Sequence, residues 1–222
     1  MLRKLLEALK NLVPPPEVFD LSQLNDPLAV QIEWTPMRCG DSGFTTHKLV
    51  HVHADRVEFR PSWELKLFLG FHLFAGVLVP AAFVAIMLLV GEIGSRVVFL
   101  VLIPAVTGTL LMTIGGMIYY RHSAPIVFDR YQRHFWKGRK APNEVLNISA
   151  LKDACKLGDI HAVQLIPEYC LFNKPPYNRF ELNLVLHNGR RINVIGHSNP
   201  AKLRKDAQLL ARFLHVPVWD AC

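Results

Sequence analysis

The residues best spaced for chemistry are three histidines, His47, His51 and His53. His51 and His53 are two residues apart in an alternating stretch, so a β-strand would place them on one face. Two imidazole nitrogens on one face can bind a single metal ion, with His47 or Asp55 as a third ligand. Isolated strand histidines are usually surface residues, and no cysteine lies at ligand spacing. The sequence therefore assigns no metal ion and no cofactor, and it leaves metal binding by these histidines open.

A second candidate is the Gly-rich segment CGDSG at 39–43, which looks like the nucleophile turn of chymotrypsin-type serine proteases. Those enzymes place their histidine and aspartate well before the serine, whereas no histidine precedes Ser42. The chain also lacks the P-loop, GxGxxG, GxSxG and HExxH signatures. We therefore predict a non-enzymatic protein with no catalytic residues.

The candidate residues above lie in a chain that contains two long apolar blocks, at 67–90 and 97–119. Each is longer than the roughly 20 residues that a helix needs to cross a hydrocarbon core of about 30 Å. The connector GEIGSR between them is too short for a domain. We predict a two-pass membrane protein with a transmembrane helical hairpin at 66–120.

The charge distribution predicts the orientation of this hairpin. The chain of 222 residues carries a net charge of +7. Basic residues flank the hairpin on both sides, whereas the connector contributes only Arg96. By the positive-inside rule both termini are expected to face the cytoplasm. The basic residues form neither a recognition helix nor an aromatic-interleaved patch, so nucleic acid is not an expected partner.

The basic run that follows the hairpin is the predicted contact for anionic lipid or an acidic partner. Two aromatic side chains within it are expected to insert beside the charges. The alternative is a solvated strand edge with ordinary positive-inside bias. The predicted contact residues are Arg130, Arg133, Phe135, Trp136, Lys137, Arg139 and Lys140.

The apolar blocks also carry small residues that let helices approach closely. These residues are expected to pack the two helices together, and a self-association face that forms a homo-oligomer is the alternative. Pro80 and Pro104 predict a kink in each helix. His72, the ionisable residue inside the blocks, keeps a transporter or proton relay open as an alternative. The predicted packing residues are Ala105, Gly108, Thr109, Thr113 and Gly116.

Patterns outside the hairpin predict a mixed α and β domain. Residues 1–16 form an amphipathic helix, which lies on the membrane or packs on its own domain. Strand-like pieces at 28–34, 46–52 and 56–60 are expected to pair with strands beyond the hairpin. After Pro125 come two short strands, IVFDR and RHFWKG, and then a hairpin that turns at Asn188–Gly189. An apolar stripe from Pro200 to Leu214 predicts a C-terminal helix.

About six antiparallel strands closed by one helix resemble a pleckstrin-homology-like domain. The likeness covers residues 125–220 and rests on IVFDR…HFWKGR, ELNLVLHNGRRINV and AKLRKDAQLLARFL. Many bacterial membrane proteins carry such a domain beside two transmembrane helices. The resemblance implies a cytosolic domain at 121–222, to which the strands at 17–65 are added as one domain split by the hairpin.

The expected fold is therefore an α+β membrane protein with a two-helix hairpin and an antiparallel, PH-like sheet capped by a C-terminal helix. By layout alone the chain is similar to secretion-system (type VI-like) immunity proteins. That similarity implies a partner protein, a pore-forming antibacterial toxin that this chain would neutralise. A lipid- or partner-binding assembly subunit is the first alternative, and an uncharacterised membrane enzyme or transporter is the second.

Overall fold

A computed structural model describes residues 19–37, 47–91, 95–144, 153–170 and 177–222. The predicted amphipathic helix at 1–16 and the Gly-rich segment at 39–43 lie outside these residues. Within the described ranges the chain is a mixed α+β protein with two long helices and two β-sheets.

The two long helices are α2 (Trp63–Val90) and α3 (Ser95–His122), and a short helix, α1 (Pro27–Gln31), precedes them. Each has 28 residues, or about 42 Å at 1.5 Å per residue. Both are long and apolar enough to cross a membrane, and only 6% and 11% of their apolar windows are buried. The described remainder of the chain therefore leaves these apolar surfaces uncovered.

Helix α2 begins four residues before its apolar block and ends with it, and a cap residue lies at each end. Ser62 is the N-cap of α2, and its hydroxyl oxygen accepts a hydrogen bond from the backbone N–H of Leu65 at 3.2 Å. At the other end of α2, Gly91 adopts a left-handed conformation with φ of 73°. A left-handed glycine is a common helix stop, since it carries no Cβ.

The predicted strand at 28–34 is wrong, because this stretch contains α1 (Pro27–Gln31). The side chain of Asp26 accepts a hydrogen bond from the backbone N–H of Leu28 at 3.0 Å. An N-cap aspartate followed by proline is a strong helix start. This local signal outweighs the apolar content of the segment.

The first sheet contains β1 (His47–His53), β2 (Arg56–Pro61), β3 (Ile126–Asp129), β4 (His134–Lys137) and β5 (Ala154–Lys156) in that order. All of its pairs are antiparallel. β2 pairs with β3, so a strand before the helix pair meets a strand after it. The predicted pairing across the helices is confirmed for the strand at 56–60, whereas the strand at 46–52 pairs, among the described residues, only with β2.

The second sheet has the order β8-β7-β6-β9. The predicted hairpin is confirmed, and Gly189 in its turn has a φ of 79° that favours glycine. The C-terminal tail forms a short strand, β9, which pairs in parallel with β6 and was not predicted. The strands are β6 (Ile160–Cys170), β7 (Tyr177–Leu186), β8 (Arg191–His197) and β9 (Val218–Asp220).

Helix α4 (Pro200–Leu214) packs with the two sheets around the main core, as its predicted apolar stripe requires. The side chain of Asn199 caps it by accepting a hydrogen bond from the N–H of Lys202 at 3.0 Å. The opposite face of the second sheet is covered by residues 19–37, where Ala29 and Trp34 pack near Trp219. The second sheet is therefore covered on both faces.

Candidate binding cavity at the foot of the helix pair

The sheets and the long helices are joined almost without linkers. Ser62 alone separates β2 from α2, and three residues, 123–125, separate α3 from β3. Side chains at these strand ends are therefore held within a few residues of the helix ends.

A cavity of about 320 Å³ lies at this junction. It is bounded by the end of α3, by the helix-proximal ends of β1, β3 and β4, and by β7 and β8 of the second sheet. Its polar lining residues are His47, Arg121, His122, Lys137, Asp153, Arg179 and Asn193.

The cavity is basic. Of its described lining residues, Arg121, Lys137 and Arg179 carry positive charge, whereas Asp153 is the carboxylate. Arg179 is only 3% exposed. A cation so deeply buried is costly unless other polar groups or a ligand compensate its charge.

Gly196 of β8 makes room for this arginine. A Cβ atom built on Gly196 would lie 2.6 Å from the guanidinium carbon of Arg179 and 2.8 Å from its Nε. Real Cβ atoms do not approach so closely, so the guanidinium packs directly on the strand backbone. A glycine inside a strand often marks such a close approach.

His47 adds polarity to the cavity without adding charge at neutral pH. Burial, together with the nearby charges of His122 and Lys137, lowers the pKa of His47 to about 4. The ring is therefore neutral at pH 7, and a neutral imidazole can both donate and accept a hydrogen bond.

The predicted basic run does not form one surface. Arg130 and Arg133 lie at the β3–β4 turn, whereas Lys137 lies at the opposite end of β4. Four residues of strand separate Arg133 from Lys137 by about 13 Å. Only the second half of the run lies beside the helix ends.

Arg130 contacts other residues of the protein and does not form part of an exposed basic surface. Its guanidinium lies 4.3 Å from the ring centroid of Phe213 and donates a hydrogen bond to the carbonyl oxygen of the same residue. It also lies 3.0 Å from Nε2 of His215. Arg130 therefore binds the C-terminal end of α4, where a cation suits the helix dipole.

Arg139 binds the C-terminal end of α3 in the same way. Its Nη2 donates to the carbonyl oxygen of Tyr120 at 2.8 Å and to the hydroxyl of Ser123 at 2.7 Å. The guanidinium also stacks on the Tyr120 ring at 4.2 Å. Arg139 thus holds the helix end beside the cavity, and Lys140 follows it as an exposed residue.

The predicted insertion of Phe135 and Trp136 into lipid is wrong. Phe135 is 0% exposed and Trp136 is 2% exposed. Phe135 packs against Phe128 in the main core at a centroid distance of 4.8 Å, and Arg56 covers the Trp136 ring. Both faces of β4 are covered, so neither ring can reach a bilayer.

Of the predicted helix-packing residues, Gly108 lies at the crossing of α2 and α3, opposite Gly76. Ala105 is half-buried, whereas Thr109 and Thr113 are exposed, with hydroxyl groups that donate to carbonyl oxygens of their own helix at 2.8 and 2.7 Å. A Cβ on Gly116 would meet nothing within 4 Å, so this residue does not pack on α2.

The other predicted histidines do not converge. His51 and His53 are exposed toward the far end of β1, about 13 and 20 Å along the strand from the cavity end. Within the described residues no three His, Cys, Asp or Glu side chains are grouped as metal ligands. Nδ1 of His72 lies 2.7 Å from the carbonyl oxygen of Phe68, one turn earlier in its own helix.

Comparisons of the chain with family models, with curated proteins and with solved structures found no match.

Proposed function

We propose that this protein is a non-enzymatic, membrane-anchored binding protein whose basic cavity holds the phosphate group of an anionic lipid. In this proposal α2 and α3 cross a bacterial inner membrane and the two sheets lie in the cytoplasm. The observation that carries the proposal is the position of the cavity, which is lined by the last residues of α3.

The length of the helices supports a cavity at the level of the lipid headgroups. About 42 Å of helix exceeds a hydrocarbon core of about 30 Å, so the helix ends belong at headgroup level. Trp63, Tyr119 and Tyr120 are exposed at the sheet-proximal ends of the helices. Tryptophan and tyrosine are enriched at membrane–water interfaces, where their polar groups meet headgroups.

The chemistry of the cavity suits a phosphate group. Arginine binds phosphate through paired N–H donors, and lysine binds it as a point charge. Arg179 and Lys137 line the cavity from different sheets, and in this proposal both contact the same phosphate. The volume of about 320 Å³ is at the lower end of the range for small-molecule sites, which suits a headgroup whose acyl chains remain outside.

The proposed family relationship is a PH-like domain interrupted by the helix pair. Two sheets closed by a C-terminal helix support it. The added strands β1 and β2 and the parallel strand β9 are departures from that pattern. Neutralisation of a pore-forming toxin stays a prediction, because no contact within the described residues bears on it.

Binding of fluorescent phosphatidylglycerol to the full-length protein in dodecylmaltoside micelles tests the proposal. We expect Lys137→Glu to weaken binding at least tenfold, because it reverses a charge in the cavity. Arg133→Glu is the matched control from the same basic run, and we expect it to bind like the unchanged protein.

Equal losses of lipid affinity in Lys137→Glu and Arg133→Glu, or no loss in either variant, would contradict the proposed site. Displacement of the lipid by micromolar inorganic phosphate would assign the cavity to a soluble phosphate compound and would also contradict the proposal. Separately, a reporter fusion that places the C-terminus outside the cytoplasm would contradict the proposed orientation.

A further inference from the structure

Two histidines outside the cavity lie with their ring nitrogens facing each other. Nδ1 of His161 and Nδ1 of His187 are 3.1 Å apart, and the two rings are nearly perpendicular, at 72°. The sequence separates these residues by 26 positions, so their contact depends on the fold.

A β-bulge brings the pair together. The register of β6 and β7 passes from Ile160↔Leu186 directly to Ala162↔Val185, so His161 is the extra residue. A bulge of this kind redirects the side chain of the extra residue. His187 follows Leu186 in the β7–β8 turn, and its backbone N–H donates to the carbonyl oxygen of Asp159 at 2.9 Å.

Asp26 determines which nitrogen of His161 carries the proton. Nε2 of His161 lies 2.7 Å from Oδ2 of Asp26, so Nε2 donates to the carboxylate. In the neutral ring the lone pair is then on Nδ1, which is the nitrogen that faces His187. The other carboxylate oxygen of Asp26 accepts a hydrogen bond from the backbone N–H of Leu28 at the start of α1. Hydrogen bonds to both oxygens therefore fix the position of the carboxylate.

We propose that Nδ1 of His161 and Nδ1 of His187 together bind one first-row divalent transition-metal ion of the zinc class. With zinc–nitrogen bonds of 2.0–2.1 Å, two nitrogens of a tetrahedral site are about 3.3 Å apart. The observed separation of 3.1 Å is close to this value. Metal-binding histidines usually donate their second nitrogen to a carboxylate, and Asp26 supplies that carboxylate here.

The site has two protein ligands and leaves the remaining coordination positions to water. His187 is exposed and the side chain of His161 is 25% exposed, so an ion can enter from solvent. Asp26 belongs to the segment 19–37, whereas His161 belongs to β6 of the second sheet and His187 to the β7–β8 turn of that sheet. A bound ion would therefore strengthen the attachment of this segment to the sheet.

The test is a zinc titration of the full-length protein, without a histidine tag, in dodecylmaltoside and in competition with a chromophoric chelator. We expect one ion per chain at this site. His187→Ala should weaken zinc binding at least tenfold, and its place in an exposed turn keeps the fold intact. His51→Ala, which removes an exposed histidine of β1, is the matched control and should bind zinc like the unchanged protein.

Asp26→Asn tests the role of the carboxylate. Asparagine caps a helix as well as aspartate does, so α1 is preserved while the charge is removed. Loss of a carboxylate behind a ligand typically lowers metal affinity 10–100-fold, and we expect a loss of about tenfold. Absence of zinc binding at 100 μM in the unchanged protein, or unchanged affinity in His187→Ala, would overturn the proposal.

Discussion

Gly76 and Gly108 meet where the two long helices cross. A Cβ atom built on Gly108 would overlap the carbonyl oxygen of Gly76 and would lie 2.6 Å from Cγ of Pro80. A Cβ on Gly76 would lie 3.1 Å from the carbonyl oxygen of Gly108. The helices therefore approach backbone to backbone, a contact that requires glycine at 108 and leaves little room for a Cβ at 76.

We expect Gly108→Val to lower the thermal stability of the full-length protein in detergent. The added methyl groups force the helices apart, and overpacking of this kind costs about 1–3 kcal/mol. Gly116→Val is the matched control, because a Cβ there meets nothing within 4 Å. Equal melting temperatures for Gly108→Val and Gly116→Val would show that the two helices do not cross at Gly108.

Gly196→Ala should weaken the binding of phosphatidylglycerol without removing any charge. The new methyl group occupies the space of the Arg179 guanidinium, which must leave the strand backbone. We expect a several-fold loss of affinity and a loss of stability of about 1–3 kcal/mol. The control is Gly158→Ala, where a Cβ would meet nothing within 4 Å. Full lipid affinity in Gly196→Ala would argue against a role for Arg179 in the cavity.

Phe135→Ala should destabilise the protein by about 3–5 kcal/mol, the usual cost of removing a buried phenyl ring. Tyr131, in the adjacent turn, is 91% exposed, and Tyr131→Ala should change stability by no more than about 0.5 kcal/mol. Urea unfolding measures both values. If Phe135 contacted lipid instead of the core, its removal would reduce liposome binding and leave the unfolding free energy nearly unchanged.

The stability of the protein should depend on pH through His47. Burial lowers the pKa of His47 to about 4 in the folded state, whereas an unfolded histidine titrates near 6.5. Between these values the unfolded chain binds more protons, so this residue makes the protein less stable as the pH falls from about 6.5 to 4. His47→Gln should remove this part of the pH dependence. Melting temperatures at pH 7.5, 6 and 5 measure this dependence in the unchanged protein and in His47→Gln. If the melting temperature changed equally with pH in both proteins, His47 would not be the source of the dependence.

Asp206→Asn should make the protein more stable at pH 7.5. Burial raises the pKa of Asp206 to about 6, although a hydrogen bond from the backbone N–H of Leu49 lowers it. Between pH 3.8 and 6 the folded state binds more protons, so stability from this group is lost as the pH rises. Asparagine keeps the acceptor for Leu49 and carries no charge to bury. The gain in stability should disappear below about pH 4, where Asp206 is protonated in both states. If Asp206→Asn melted at a lower temperature than the unchanged protein at pH 7.5, burial of the Asp206 charge would not be destabilising.

Much of the fold follows from patterns within short stretches of sequence. The two long helices follow from unbroken apolar blocks, because a run of apolar residues long enough to cross a hydrocarbon core is a local property of the sequence. The turn at Asn188–Gly189 and the cap at Asn199 follow from local backbone chemistry. At 28–34 two local signals conflict, and the Asp26–Pro27 helix start outweighs the apolar pattern that predicts a strand.

The cavity and the histidine pair were decided by tertiary structure alone. Alternation along a strand shows that its two faces differ, but it does not show what covers each face, so the burial of Phe135 and Trp136 was not predictable. The cavity combines residues from His47 to Gly196, and only sheet pairing brings them together. Gly196 inside a strand was a signal of close approach, but its partner Arg179 could be identified only once β7 and β8 were paired.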